Sequence, residues 1–220
     1  MKYIMTHGLR IFLYIFPAII LLGGFVPLYF KLKWQGEKAS SVVVKGFATL
    51  VPVIFCLNGC IVNNFRGFWW LLAGLLLCLV GDIAIERSLF AGMAGFFASH
   101  LLFIRAFTVF ASPELSALPV FLVLFLATAA VFCRKLIRFG SKSIPVLLYA
   151  AALFAMLALA LTLPFTLGTG ILALGALLFT VSDILLAYRI LHNINSRRSD
   201  VVCLSVYYAG LYLIALTVWV

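Results

Sequence analysis

Apolar residues run along this chain in continuous stretches, each closed by a cluster of charge, Gly or Pro. Eight such runs occur: Ile11–Phe30, Val42–Ile61, Gly67–Ile85, Leu89–Phe110, Leu115–Cys133, Ile144–Pro164, Gly168–Ile190 and Val201–Val220. At a rise of about 1.5 Å per residue, a run of roughly twenty residues matches the hydrocarbon core of a bilayer. The apolar–polar alternation of membrane β-barrel strands is missing from these runs. The pattern predicts an all-α, polytopic bundle of eight transmembrane helices, a single membrane domain over residues 1–220. The loops between the runs are too short for a soluble domain, so any binding or catalytic apparatus has to be built from the helices themselves.

Composition points the same way. Of the 220 residues, 66% are hydrophobic and 10% charged, whereas soluble domains lie nearer half apolar and a quarter charged. That excludes a soluble enzyme, a disordered chain and a nucleic-acid binder, and no nucleic-acid partner is expected. The net charge of +10 then reads as a topology signal. One side of the bundle carries Lys2, Arg10 and Arg66. The other carries Lys31, Lys33, Lys38, Arg87, Arg134, Lys135, Arg138, Lys142, Arg189, Arg197 and Arg198. Positive loops stay cytoplasmic, which predicts that both termini face outward. The first run has no small-residue cleavage pattern after it and reads as a retained span, not a leader.

The five cysteines form no CxxC pair and have no His at ligand spacing, so they read as small apolar packing groups and no metal site is expected. The informative side chains are the ionisable ones inside the spans: Lys45, Asp82, Glu86, His100, Arg105 and Asp183. Each is costly in hydrocarbon unless paired or hydrated. Lys45 and Arg105 lie near span ends and can snorkel; Glu86, beside Arg87, reads as half of a solvated pair. His100, among Phe96, Phe103 and Phe107, reads equally well as a buried ring bonded to a carbonyl or as a functional group. Ala91, Gly95 and Ser99 form a small-xxx-small packing stripe.

The two aspartates are too short to snorkel, and their setting repeats. GLLLCLVGDIA from Gly74 and GALLFTVSDIL from Gly175 share six of eleven positions at an offset of 101 residues, including the Gly and the Asp. The third and seventh spans run in the same direction, which suggests a four-plus-four arrangement of parallel repeats with a site between the halves. Asp82 and Asp183 lie at similar depth, on the side from which Lys45, Tyr207 and Tyr208 also enter. Asp82 and Glu86 share a helix face. One polar pocket is therefore expected to collect Lys45, Asp82, Glu86, Asp183 and a tyrosine. The plain alternative for the aspartates is helix–helix glue.

These residues resemble a known pattern. Gly74, Gly81-Asp82, Gly92, Phe96, His100 and Phe107, then Gly175 to Phe179, Ser182-Asp183 and Tyr207-Tyr208, with Lys45 in the second span, are similar to the YhhN-like lysoplasmalogenase family. Two positions depart from it: Gly46, where members often carry Pro, and Gly210, where they often carry Gln. The resemblance implies an eight-helix membrane hydrolase. It would cleave the vinyl ether of lysoplasmalogens, alkenyl-glycerophosphocholine or -ethanolamine, to a fatty aldehyde and a glycerophospho-base, without cofactor or metal. Its partners would be the lysophospholipid substrate and membrane lipid. Its expected place is a bacterial inner membrane, with the site toward the cytoplasmic leaflet.

The chemistry fits the residues. Protonation of the alkene carbon needs a carboxylic acid, and the resulting oxocarbenium ion and attacking water need a carboxylate. Two aspartates sharing one proton provide both. Asp82 and Asp183 are the candidate catalytic pair. Lys45, Glu86, His100, Ser182, Tyr207 and Tyr208 are candidate supporting residues, with Lys45 and a tyrosine holding phosphate and His100 positioning water or a carboxylate. A proton-coupled transporter of small solutes or lipids would use the same intramembrane carboxylates, and a non-catalytic lipid-binding protein would use them as glue.

Overall fold

The computed structural model describes residues 7–112, 114–140 and 143–220. Of the basic residues used above to orient the bundle, Lys2 and Lys142 lie outside them. The described residues are helical, and eight helices are long and apolar enough to cross a membrane. This is what a bilayer demands, because a helix satisfies its own backbone hydrogen bonds where no water is available. The chain is an integral membrane protein.

The first span is built in three pieces. Helix α1 (His7–Ile19) passes through a π-helical segment, Ile20–Phe25, into α2 (Val26–Gln35). The break has a local cause: Pro27 brings no N–H to the ladder, and the Val26 N–H reaches back five residues to the Leu21 carbonyl. The span runs on to Gln35, five residues past the apolar run. Lys31 and Lys33 are compatible with a helix C-terminus, and the helix stops only at Gly36, whose φ of 86° is left-handed.

The other seven spans are α3 (Lys38–Asn63), α4 (Arg66–Ile85), α5 (Leu89–Phe110), α6 (Ala117–Phe139), α7 (Ser143–Thr162), α8 (Leu167–Leu191) and α9 (Arg197–Leu216), the last ending in a 3₁₀ turn at Thr217–Trp219. The fourth predicted span matches its helix at both ends, and the others agree within a few residues. The tightest neighbours are α4 with α5 and α8 with α9, and α9 also packs on α3 and α4. Helix α6 stands at the edge, against α7.

Glycine makes both tight pairs possible. A Cβ at Gly95 would lie 2.9 Å from the Gly81 Cα, and one at Gly210 would lie 2.7 Å from the Phe179 backbone nitrogen. The helix backbones touch at these points, as small residues allow in membranes. The small-xxx-small stripe on α5 is thus a packing device. Position 210 faces the α8 backbone, so the Gln that the resemblance suggests near this position could not be seated there without parting α8 and α9.

Candidate active site

Helices α3 and α4 are antiparallel neighbours, and their one-turn spacings match. Lys45 and Thr49 share a face of α3; Asp82 and Glu86 share a face of α4. Lys45 Nζ lies 2.8 Å from Glu86 Oε1 and 3.6 Å from Asp82 Oδ1. Thr49 donates to Asp82 Oδ2 at 2.6 Å, and Tyr207 of α9 donates to the same oxygen at 2.7 Å. Tyr208 donates to the Lys45 carbonyl at 3.1 Å, pinning α9 to α3. The Glu86 oxygen that takes Lys45 also accepts the Tyr29 hydroxyl at 3.0 Å. Burial pushes the Glu86 carboxyl up, but the Lys45 ammonium, the hydrogen bonds from Lys45 and Tyr29, and Lys33 together hold it below its ordinary value.

Although its side chain is 11% exposed against 3% for Asp82, Asp183 has fewer polar partners. Its Oδ2 accepts the Tyr149 hydroxyl of α7 at 2.5 Å, and His100 Nε2 of α5 stands 3.8 Å away. His100 is fully buried, edge-on to the rings of Tyr149 and Phe179. Neither of its ring nitrogens has a hydrogen-bond partner among the described residues.

Both aspartates line one cavity of about 370 Å³. It lies at the end of the bundle where α2, α4 and α8 finish and α3, α5 and α9 begin, the end richer in Lys and Arg. Four of the chain's six acidic residues, Asp82, Glu86, Asp183 and Asp200, line it, together with Lys33, Lys45 and Arg189. Three cations face four carboxyls, so the set is neutral when one carboxyl carries a proton. That is the arrangement least costly to hold in an apolar bundle. Arg189 pairs with Asp200 across the turn joining α8 to α9. Among the described residues, no three His, Cys, Asp or Glu side chains are grouped to hold a metal ion.

The expected pocket therefore exists as a grouping: Lys45, Asp82, Glu86, Asp183 and Tyr207 all line the cavity. Ser182 also lines it, although its hydroxyl donates to the Cys203 carbonyl at 2.9 Å and ties α8 to α9. His100 and Tyr208 stand behind the wall. Three sequence readings are corrected. Lys45 does not snorkel, being 6% exposed. Glu86 pairs with Lys45, not Arg87, because adjacent helical side chains diverge while Glu86 lies one turn beyond Asp82. Among the described residues, His100 is bonded to no carbonyl. Of the cysteines, Cys133 is exposed and the other four are buried.

Sequence reasoning did not single out Tyr29, Thr49, Tyr149, Arg189 or Asp200. Thr49 was within reach, one turn from Lys45 on the same face. Tyr149 carries a polar tip in an otherwise apolar run, but nothing local connects it to Asp183.

Compared with known protein families, residues 40–218 match the YhhN family model. The match spans α3 to α9 and with them both aspartates. No curated protein and no solved structure matches the chain.

Proposed function

This chain belongs to the YhhN family, and we propose that it is an intramembrane hydrolase of the vinyl ether bond of lysoplasmalogens, with Asp82 and Asp183 as its acid–base pair. One observation carries the reading: two carboxyls from helices far apart in sequence line a single cavity in an apolar bundle, among groups that balance all but one of the cavity's negative charges.

The roles follow from the surroundings. Asp82 accepts two hydroxyl hydrogen bonds and has an ammonium nearby, an environment that suits the charged carboxylate. Asp183 has one hydroxyl donor, an unpartnered His100 behind it and a more apolar flank, which suits the protonated acid. Asp183 gives its proton to the alkene carbon farther from the ether oxygen. The double bond becomes an oxocarbenium ion next to that oxygen, facing the Asp82 carboxylate. Water adds to this carbon as Asp82 takes its proton, and the hemiacetal collapses to a fatty aldehyde and the glycerophospho alcohol. One water is consumed, and proton return from Asp82 to Asp183 resets the site. His100 acts as a positioning residue for Asp183. Lys45 is engaged by Glu86 and Asp82, and Arg189 by Asp200, so among the described residues lining the cavity the substrate phosphate falls to Lys33.

The carrier reading is less well supported. The cavity draws its lining from one end of the bundle, whereas the pocket at the opposite end, around Phe110 and Thr166, holds none of these carboxylates. The proposed place is a bacterial inner membrane, with the site toward the cytoplasmic leaflet, the side that loop charge favours. The test is aldehyde release from lysoplasmalogen by detergent-solubilised protein, which needs no sealed compartment. Wild type turns over, while Asp82→Asn and Asp183→Asn, folded by thermal melt, fall at least a thousandfold. Full activity in either variant refutes the pair.

A further inference from the structure

Asp183 belongs to more than the polar chamber. It is also the charged residue in two apolar clefts. One, of about 100 Å³, runs between α5, α7 and α8; the other, of about 80 Å³, lies between α6, α7 and α8. Their relation to the chamber differs. Ile85, Leu89, Phe96, Asp183, Leu186 and Ile190 line both the chamber and the first cleft. The second cleft shares only Asp183 with the chamber.

The first cleft has a floor and an outer edge. Deeper in the bundle, Phe96, His100 and Phe103 of α5 meet Phe179 of α8 edge-to-face. Above this contact the cleft separates the two helices. Its edge is formed by Phe90 in the first turn of α5 and Ile190 in the last turn of α8, 43% and 38% exposed. These residues lie at the ends of two membrane spans and give the cleft an exposed apolar rim at the level where the bilayer begins. A polar chamber joined sideways to a narrow apolar cleft, with a carboxyl at the junction, has the shape of a single-chain amphiphile.

We infer that the α5–α7–α8 cleft is the hydrocarbon-chain subsite, through which one unbranched chain enters from the bilayer while its polar head occupies the chamber. The inference rests on the reading of the chamber as a head-group site, and it deepens that reading. It places the bond between head and chain beside Asp183, with the alkene carbon on the chain side.

The test uses a probe that does not turn over: a saturated 1-alkyl-ether lysophospholipid with a diazirine at mid-chain, photolysed with detergent-solubilised full-length protein and mapped by mass spectrometry. Labels are expected on Phe90, Met93, Val146 or Ile190. Filling the cleft by Met93→Trp is expected to reduce them at least tenfold, whereas Thr128→Trp in the α6 cleft leaves them unchanged. Labels centred on Phe125, Thr128 or Phe132, labels spread evenly over the bundle's perimeter, or no labels overturn the inference. The wild-type map alone decides among these outcomes should Met93→Trp not fold. Labelling of the cleft without aldehyde release would leave the chain subsite standing and refute the hydrolase. Aldehyde release with labels elsewhere would do the reverse.

Discussion

Replacing Lys45 by Met removes the cation between two carboxyls while keeping most of the side chain's volume. In the wild type its ammonium is 2.8 Å from Glu86 and 3.6 Å from Asp82, with side-chain exposures of 7% for Lys45, 26% for Glu86 and 3% for Asp82. Removing one partner of a fully buried pair costs about 3–5 kcal/mol, chiefly from the charge left behind. Water reaching the Glu86 carboxyl moderates that, so the expected loss is about 2–3 kcal/mol. For a chain of this size it lowers the melting midpoint by about 2–4 °C per kcal/mol. The Lys45→Met/Glu86→Gln double variant removes one of the two stranded charges, leaving Asp82, and is expected to recover part of the loss. Thermal unfolding of the four proteins in one detergent completes the cycle. A change within about 0.5 kcal/mol for Lys45→Met, or additivity of the two changes within that margin, would refute the coupling of α3 to α4 through this pair.

Three further outcomes follow. Because the Glu86 carboxyl is held below its ordinary value in the folded protein, it adds stability above its unfolded value, near about 4.3, and loses it as pH falls through the lower folded value. The stability gap between wild type and Glu86→Gln should therefore be flat above about pH 5 and shrink as pH falls below about 4, as read from melts across pH; a gap that widens on acidification contradicts the sign. Tyr149→Phe deletes the 2.5 Å donor to Asp183. Loss of a hydrogen bond to a carboxyl, about 1.5–3 kcal/mol, should lower kcat for aldehyde release by roughly tenfold or more with KM little changed; unchanged kcat removes Tyr149 from the account. Gly210→Gln should destabilise this protein by about 1–3 kcal/mol or more, since its Cβ would press on the Phe179 backbone. A melt equal to wild type would contradict the close α8–α9 contact.

The spans were legible because hydrophobic run length reports directly on bilayer thickness. Their arrangement was not: α6 and α9 are both apolar runs in the sequence, yet one stands at the edge and the other in the centre. In the site, Lys45, Asp82, Glu86 and Asp183 stood out because charge in a span is expensive and therefore rare. Thr49, Tyr29 and Tyr149 did not, because threonine and tyrosine are cheap to bury along a helix and gain meaning only from a partner on another helix. The same limit explains Glu86. Its neighbour in sequence is Arg87, but its partner in space is 41 residues away. The 101-residue offset drew attention to two aspartates; the shared cavity connects them in space.

The central claim is that a carboxylic acid protonates carbon and a carboxylate directs water to the neighbouring carbon of one vinyl ether. The direct test is turnover of lysoplasmalogen in D₂O, and separately in H₂¹⁸O, with the aldehyde reduced by borohydride as it forms. The account predicts one deuterium on the carbon next to the former aldehyde carbon, and ¹⁸O in the fatty product. Unlabelled carbon, or ¹⁸O in the glycerophospho product, would contradict it.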